Sequence, residues 1–93
     1  MNASQHRYVV RFTGRVQGVG FRATCLAKAF DLPIHGFVRN EPDGSVLMDV
    51  EGDLADLKDL LARIKSAMGH NIDDTMIDQR PTLDRQDGFH ITG

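Results

Sequence analysis

An α+β fold is predicted by three features of the sequence. Apolar residues alternate with a period of two near the N-terminus, they recur twice with the period of a helix, and two short β runs joined by a Pro-Asp-Gly turn lie between the helical segments. With a short strand closing each half, the order is β-α-β-β-α-β followed by one extra strand. That order is the split βαβ, ferredoxin-like sandwich, an antiparallel sheet of four to five strands with two helices on one face.

Tyr8, Val10 and Phe12 alternate with Arg7, Val9 and Arg11 and end at Thr13-Gly14, so residues 7–13 read as the first strand. After a glycine-rich loop, Ala23, Leu26, Ala27 and Phe30 recur at i, i+3, i+4 and i+7, which puts them on one face of a helix over about 21–31, closed by Pro33. Gly36–Asn40 and Val46–Glu51 flank Glu41-Pro42-Asp43-Gly44-Ser45 and form a hairpin. Gly52 breaks the chain, Asp53 can cap the next helix, and Leu54, Leu57, Leu61, Ile64 and Met68 follow as an amphipathic stripe. Beyond Gly69 the pattern weakens. Thr75–Arg80 reads as a fourth strand and Gly88–Thr92 as a better one.

The chain has 93 residues, 41% of them hydrophobic and 26% charged, the composition of one ordinary soluble domain over 1–93. Such a chain buries roughly 60–65% of its unfolded surface and needs neither disulfide nor metal to fold. One cysteine, Cys25, cannot form an internal disulfide, and Met1–His6 lacks the apolar run of a secretory signal, so a cytoplasmic location is expected. The formal charge of -2, with both signs interspersed, argues against nucleic-acid binding driven by bulk charge. His6, His35, His70 and His90 show no metal-ligand spacing, so no metal is expected. Cys25 beside the helical apolar positions reads as a small buried hydrophobe in preference to a nucleophile paired with His35.

The chemistry concentrates in Gly14–Ala23, GRVQGVGFRA. A strand that turns through glycines into a helix leaves several backbone N–H groups unpaired at the positive end of the helix dipole, which attracts anions. Gly14, Gly18 and Gly20 permit close approach, and Arg22 in the first helical turn adds a planar donor fork suited to phosphate. A cation there opposes the dipole by roughly 0.3–1 kcal/mol unless an anion compensates. The same stretch fits G-x-G-x-x-A, but a dinucleotide site needs a parallel βαβ unit and an acidic residue about 20 positions on. Asp43 has that spacing and lies in a hairpin turn. A Walker A loop is excluded because Gly-Lys-Ser/Thr is missing.

Gly14-Arg15-Val16-Gln17-Gly18-Val19-Gly20-Phe21-Arg22, Gly36-Phe37-Val38-Arg39-Asn40, Asp43-Gly44 with Val46, Glu51-Gly52 and Phe89-His90-Ile91 together resemble the acylphosphatase family. The resemblance implies hydrolysis of the mixed anhydride of an acyl phosphate to a carboxylate and inorganic phosphate, with no cofactor. It implies that the backbone of Gln17, Gly18, Val19, Gly20, Phe21 and Arg22 cradles the phosphoryl group, that the Arg22 side chain binds it, and that Asn40 holds the attacking water. The partner is then a small acyl phosphate, with inorganic phosphate or a similar anion as a ligand, and the protein is expected to be monomeric. Two features depart from the family: Phe37 stands where tryptophan is common, and Ser66–Pro81 lacks the usual Gly-Pro turn, leaving the fourth strand's limits open. Arg7, Arg11, Arg15 and Arg39 either add positive potential to the site or are ordinary surface.

A non-catalytic module on the same fold is the rival reading, because fold does not fix function. An RNA-binding version needs exposed aromatics, for which only Tyr8, Phe12 and Phe37 are candidates. A phosphate sensor would use the loop without needing Asn40.

Overall fold

The computed structural model describes residues 5–93; Met1–Ser4, part of the segment read as lacking a signal sequence, lie outside the described residues. The elements are β1 (Gln5–Gly14), α1 (Phe21–Ala29), β2 (His35–Asn40), β3 (Val46–Asp53), α2 (Leu54–Met68), a 3-10 turn (Gly69–Asn71), β4 (Ile72–Arg80) and β5 (Phe89–Ile91). The five strands make one sheet in the order β4-β1-β3-β2-β5. This is the predicted α+β, ferredoxin-like arrangement with one difference. β1 to β4 pair antiparallel, whereas β5 runs parallel to β2. The reason lies in the registers: Arg80 pairs with Arg7, Arg7 with Glu51, and Glu51 with His35, so the chain leaves β4 at the end of the sheet where β2 begins. A connector that crosses the sheet at that end enters β5 alongside β2, in the same direction.

Alternation assigns the two faces of the sheet. Val10 and Phe12 of β1, Val38 of β2, and Val46, Met48 and Val50 of β3 are buried toward the helices. From α2 the core receives Leu57, Leu60 and Ile64; Leu60 falls outside the expected stripe, while Leu61 and Met68 are partly buried against it. From α1 it receives Phe21, Cys25 and Ala29, at i, i+4 and i+8. This corrects the expected face of α1. Ala23, Leu26 and Ala27 are exposed, and Phe30, 91% exposed, is already past the helix, which ends at Ala29. A nine-residue helix carrying two apolar faces cannot be oriented by periodicity alone. The Phe21 ring, 4.9 Å from that of Phe12 and tilted by 58°, fixes which face turns inward.

Three smaller expectations also shift. Gly52 does not break the chain: it lies buried within β3, where a Cβ would meet the Ile34 side chain at 2.9 Å. Asp53 holds the N-cap position of α2 but makes no side-chain capping bond, and its carboxylate accepts a hydrogen bond from Gln5 Nε2 at 2.6 Å. β4 begins at Ile72 and includes Asp73 and Asp74, because an edge strand keeps those carboxylates in water while its backbone pairs with β1.

The face away from the helices is crossed by residues 81–88. Arg7 grips Asp49 with two hydrogen bonds, Nε to Oδ1 at 2.9 Å and Nη2 to Oδ2 at 2.7 Å, and Arg85 of the connector donates from Nη1 to both Asp49 and Glu51 at 2.9 Å. The Leu83 amide donates to Glu51 Oε1 at 3.0 Å. Burial by itself would raise the Asp49 pKa, but the hydrogen bonds and charges of Arg7 and Arg85 outweigh it and hold the carboxyl below the usual range. A carboxylate lowered on folding adds stability above its unfolded pKa of about 3.9, and that stability is lost as pH falls through the folded value. Asp49→Asn is therefore expected to cost about 3 kcal/mol in urea unfolding at pH 7, by taking the carboxylate from the largely buried Arg7 and leaving Arg85 with Glu51 alone, and the difference from the parent should shrink below pH 4. A cost that does not change with pH would contradict this account.

Candidate active site

The glycine-rich loop is anchored at both ends. Val16, 1% exposed, and Phe21, 2% exposed, are sunk into the core, and Gly18, Val19 and Gly20 between and beside them stay at the surface. Gly20 is the N-cap of α1 in the left-handed region, φ 77°, where a side chain would be strained. The first helical bond runs from the Thr24 amide to the Gly20 carbonyl at 3.0 Å, so the amides of Phe21, Arg22 and Ala23 have no acceptor within the helix. Arg22 occupies the first turn, which holds no acidic residue, and among the described residues its side chain makes only a long contact, 3.5 Å from Nη1 to the Gly93 carbonyl.

Asn40 is the last residue of β2 and shares the helix-facing side of that strand with Gly36 and Val38. Its side-chain amide makes no hydrogen bond to another described residue. Arg22 and Asn40 line one cleft of about 220 Å³ with Gly18, Gly20, Phe21 and Ile91. Larger hollows exist, about 460 Å³ between α2 and β4 and about 630 Å³ between the two helices. Neither is walled by the loop, so size is the poorer guide here.

The resemblance implies a place for Gln17 in the cradle through its backbone. Its side chain does something further: Nε2 donates to the carbonyls of Glu41 at 2.8 Å and Ser45 at 2.9 Å, tying the loop to the hairpin turn that follows Asn40. The turn is braced in its own right by Asp43, whose Oδ1 accepts from the Ser45 amide at 3.0 Å and hydroxyl at 2.6 Å. The loop and Asn40 are thus held as one unit. Nothing in the spacing of Gln17 marks this role, and Ile91 was equally unmarked.

Arg7, Arg11 and Arg39 do not line the cleft. They alternate with core residues and lie on the opposite face of the sheet. Arg11 donates to Ser45 Oγ at 2.7 Å, and Arg39 donates to Glu41 at 2.9 Å and stacks 5.3 Å from the Phe37 ring centroid. Cys25 is fully buried, and burial pushes its thiol up to about 12, the opposite of an activated nucleophile. His35 accepts from the Gly88 amide through Nδ1 at 2.9 Å and belongs to the β2–β5 edge.

The fold and the cleft define a class: a ferredoxin-like α+β domain in which a glycine-rich strand-to-helix loop, its arginine and a strand-end asparagine line one cleft. Comparison narrows the class. The acylphosphatase family model matches residues 8–91. Acylphosphatase of Salinibacter ruber is 36% identical over 95% of this chain and 94% of its own, and that of Bacillus pumilus is 34% identical over 92% and 97%. The crystal structure of acylphosphatase from Bacillus subtilis, 27% identical, superposes with a TM-score of 0.84 over 95% of this chain and 99% of that one. The chain belongs to the acylphosphatase family, hydrolases of the carboxyl-phosphate anhydride.

Proposed function

We propose that this chain hydrolyses small acyl phosphates with the phosphoryl group seated on the backbone amides of Gln17–Arg22 and gripped by the Arg22 guanidinium, while Asn40 orients the water that attacks phosphorus. The observation that carries the reading is the shared cleft of Arg22 and Asn40 beside the loop. Water attacks in line, the bond from phosphorus to the acyl oxygen breaks, and the carboxylate leaves with the electron pair. A phosphate oxygen of the substrate takes the proton that water loses. Asn40 both donates and accepts hydrogen bonds, which suits it to hold water, and it is too weak a base to do more.

Because the leaving acid has a pKa of about 4, no general acid is required, and fixed amides plus one arginine carry the stabilisation of charge. That logic predicts selectivity. Acetyl phosphate should be turned over with a kcat/KM at least about a thousandfold above that of phenyl phosphate, whose phenol leaves at a pKa near 10 and needs the acid that the site lacks. Comparable rates on the two would sink the mechanism, and no turnover of acetyl phosphate would sink the assignment. Inorganic phosphate is expected to inhibit competitively at the same loop.

Residues 1–93 act in this reading as one domain and a monomer, since loop, arginine and asparagine all come from one chain. No described helix is long and apolar enough to cross a membrane. The lone buried thiol of Cys25 favours the reducing cytoplasm as the place of action. Neither a nucleic acid nor a metal enters the mechanism.

A further inference from the structure

The apolar residues that periodicity mistook for the core face of α1 remain to be explained. Ala23, Leu26 and Phe30 follow one another along the outer side of the helix, and Leu26 and Phe30 are 38% and 91% exposed. Phe89 and Ile91, two apart on β5, run beside them. Ala23 and Ile91 belong to the wall of the cleft that holds Arg22 and Asn40, while Leu26, Phe30 and Phe89 wall a second hollow of about 220 Å³. The two hollows therefore lie end to end along the seam between α1 and β5. From Ala23 to Phe30 the seam is about 10 Å long, at 1.5 Å per helical residue. Among the described residues no charged side chain lines the second hollow, and Arg22 is the one charge on the wall of the first. Exposed apolar surface continuous with a polar site commonly marks where the apolar part of a ligand lies.

We propose that the α1–β5 seam is the acyl subsite and that the enzyme favours acyl phosphates with extended aliphatic chains. The inference rests on the loop being the phosphoryl site: with phosphorus held at Gln17–Arg22, the acyl group leaves the cleft past Ala23 and Ile91 and passes the side chains of Leu26, Phe89 and Phe30 without meeting a charged one. The bound chain is held equally in ground and transition states, so its contribution falls on KM and not on kcat.

The test is a steady-state series with acetyl, butyryl and octanoyl phosphate on the parent protein and on the double variant Leu26→Ser, Phe30→Ser. KM in the parent should fall about twofold per added methylene, half the effect of complete burial, or roughly fiftyfold from acetyl to octanoyl, at nearly constant kcat. In the variant the acetyl phosphate parameters should be unchanged, which also shows that it is folded, and the dependence on chain length should shrink to within about threefold. A flat series in a parent that hydrolyses acetyl phosphate, or a slope that survives in the variant, overturns the acyl subsite and leaves the phosphoryl site standing. Failure to hydrolyse any of the three overturns both. Dimerisation in sedimentation that Phe30→Ser abolishes, together with a flat series, would assign the strip to a second copy and overturn the proposal.

Discussion

Arg22→Ala is expected to lower kcat/KM for acetyl phosphate by roughly a thousandfold or more, the scale on which an arginine stabilises a transferring phosphoryl group. The same substitution should leave the fold slightly more stable. Arg22 stands in the first turn of α1, with no acidic residue there, and its one hydrogen bond among the described residues is the 3.5 Å contact to Gly93. Removing a cation from the positive end of a helix relieves about 0.3–1 kcal/mol. Loss of activity accompanied by a higher unfolding midpoint would show a residue kept for a ligand. Arg22→Lys should recover only part of the rate, since an ammonium supplies charge without the two-pronged geometry. Full activity in folded Arg22→Ala would remove Arg22 from the mechanism, and full rescue by lysine would reduce its role to charge alone.

Asn40→Ala should behave differently. Its amide is proposed to hold water and not phosphate, so kcat should fall roughly a hundredfold, as when one positioned donor is lost, while inhibition by inorganic phosphate stays within about threefold of the parent. Stability should hardly move, because the Asn40 side chain bonds to no other described residue. Asn40→Asp should fail in a second way: a carboxylate facing the bound anion should weaken phosphate inhibition as well as turnover. If Asn40→Ala instead lost phosphate binding and kept kcat, Asn40 would belong to the cradle, and the rival reading as a phosphate sensor would gain ground. The contrast between the two sites, rate and binding at Arg22 against rate alone at Asn40, is what a hydrolase requires.

Much of this site is legible in the chain because its parts are local. Gly18 and Gly20 announce a turn that needs positive φ, and both have it, at 75° and 77°. Phe21 and Arg22 follow as the first two helical residues, as the pattern after the glycines requires. Asn40 closes a strand before a Pro-Asp-Gly turn, which is equally a local statement. Gln17 is different. Its two hydrogen bonds reach 24 and 28 residues along the chain, and neither end carries a pattern that points to the other. The Arg7–Asp49–Arg85–Glu51 cluster was hidden for the same reason, with Arg85 in a connector without periodicity.

Sequence by itself determined the order of elements, the loop with its arginine, and the asparagine, because turn chemistry and the periods of strand and helix act between near neighbours. Tertiary structure decided which side of α1 is core, through the docking of Phe21 on Phe12. It also decided that β5 lies parallel to β2 and that Arg22 and Asn40 open onto one cleft. Those outcomes depend on which surfaces meet when distant segments pack. For α1 the pattern offered two apolar faces, and packing buried the one that carries Phe21, Cys25 and Ala29 and left Leu26 and Phe30 exposed.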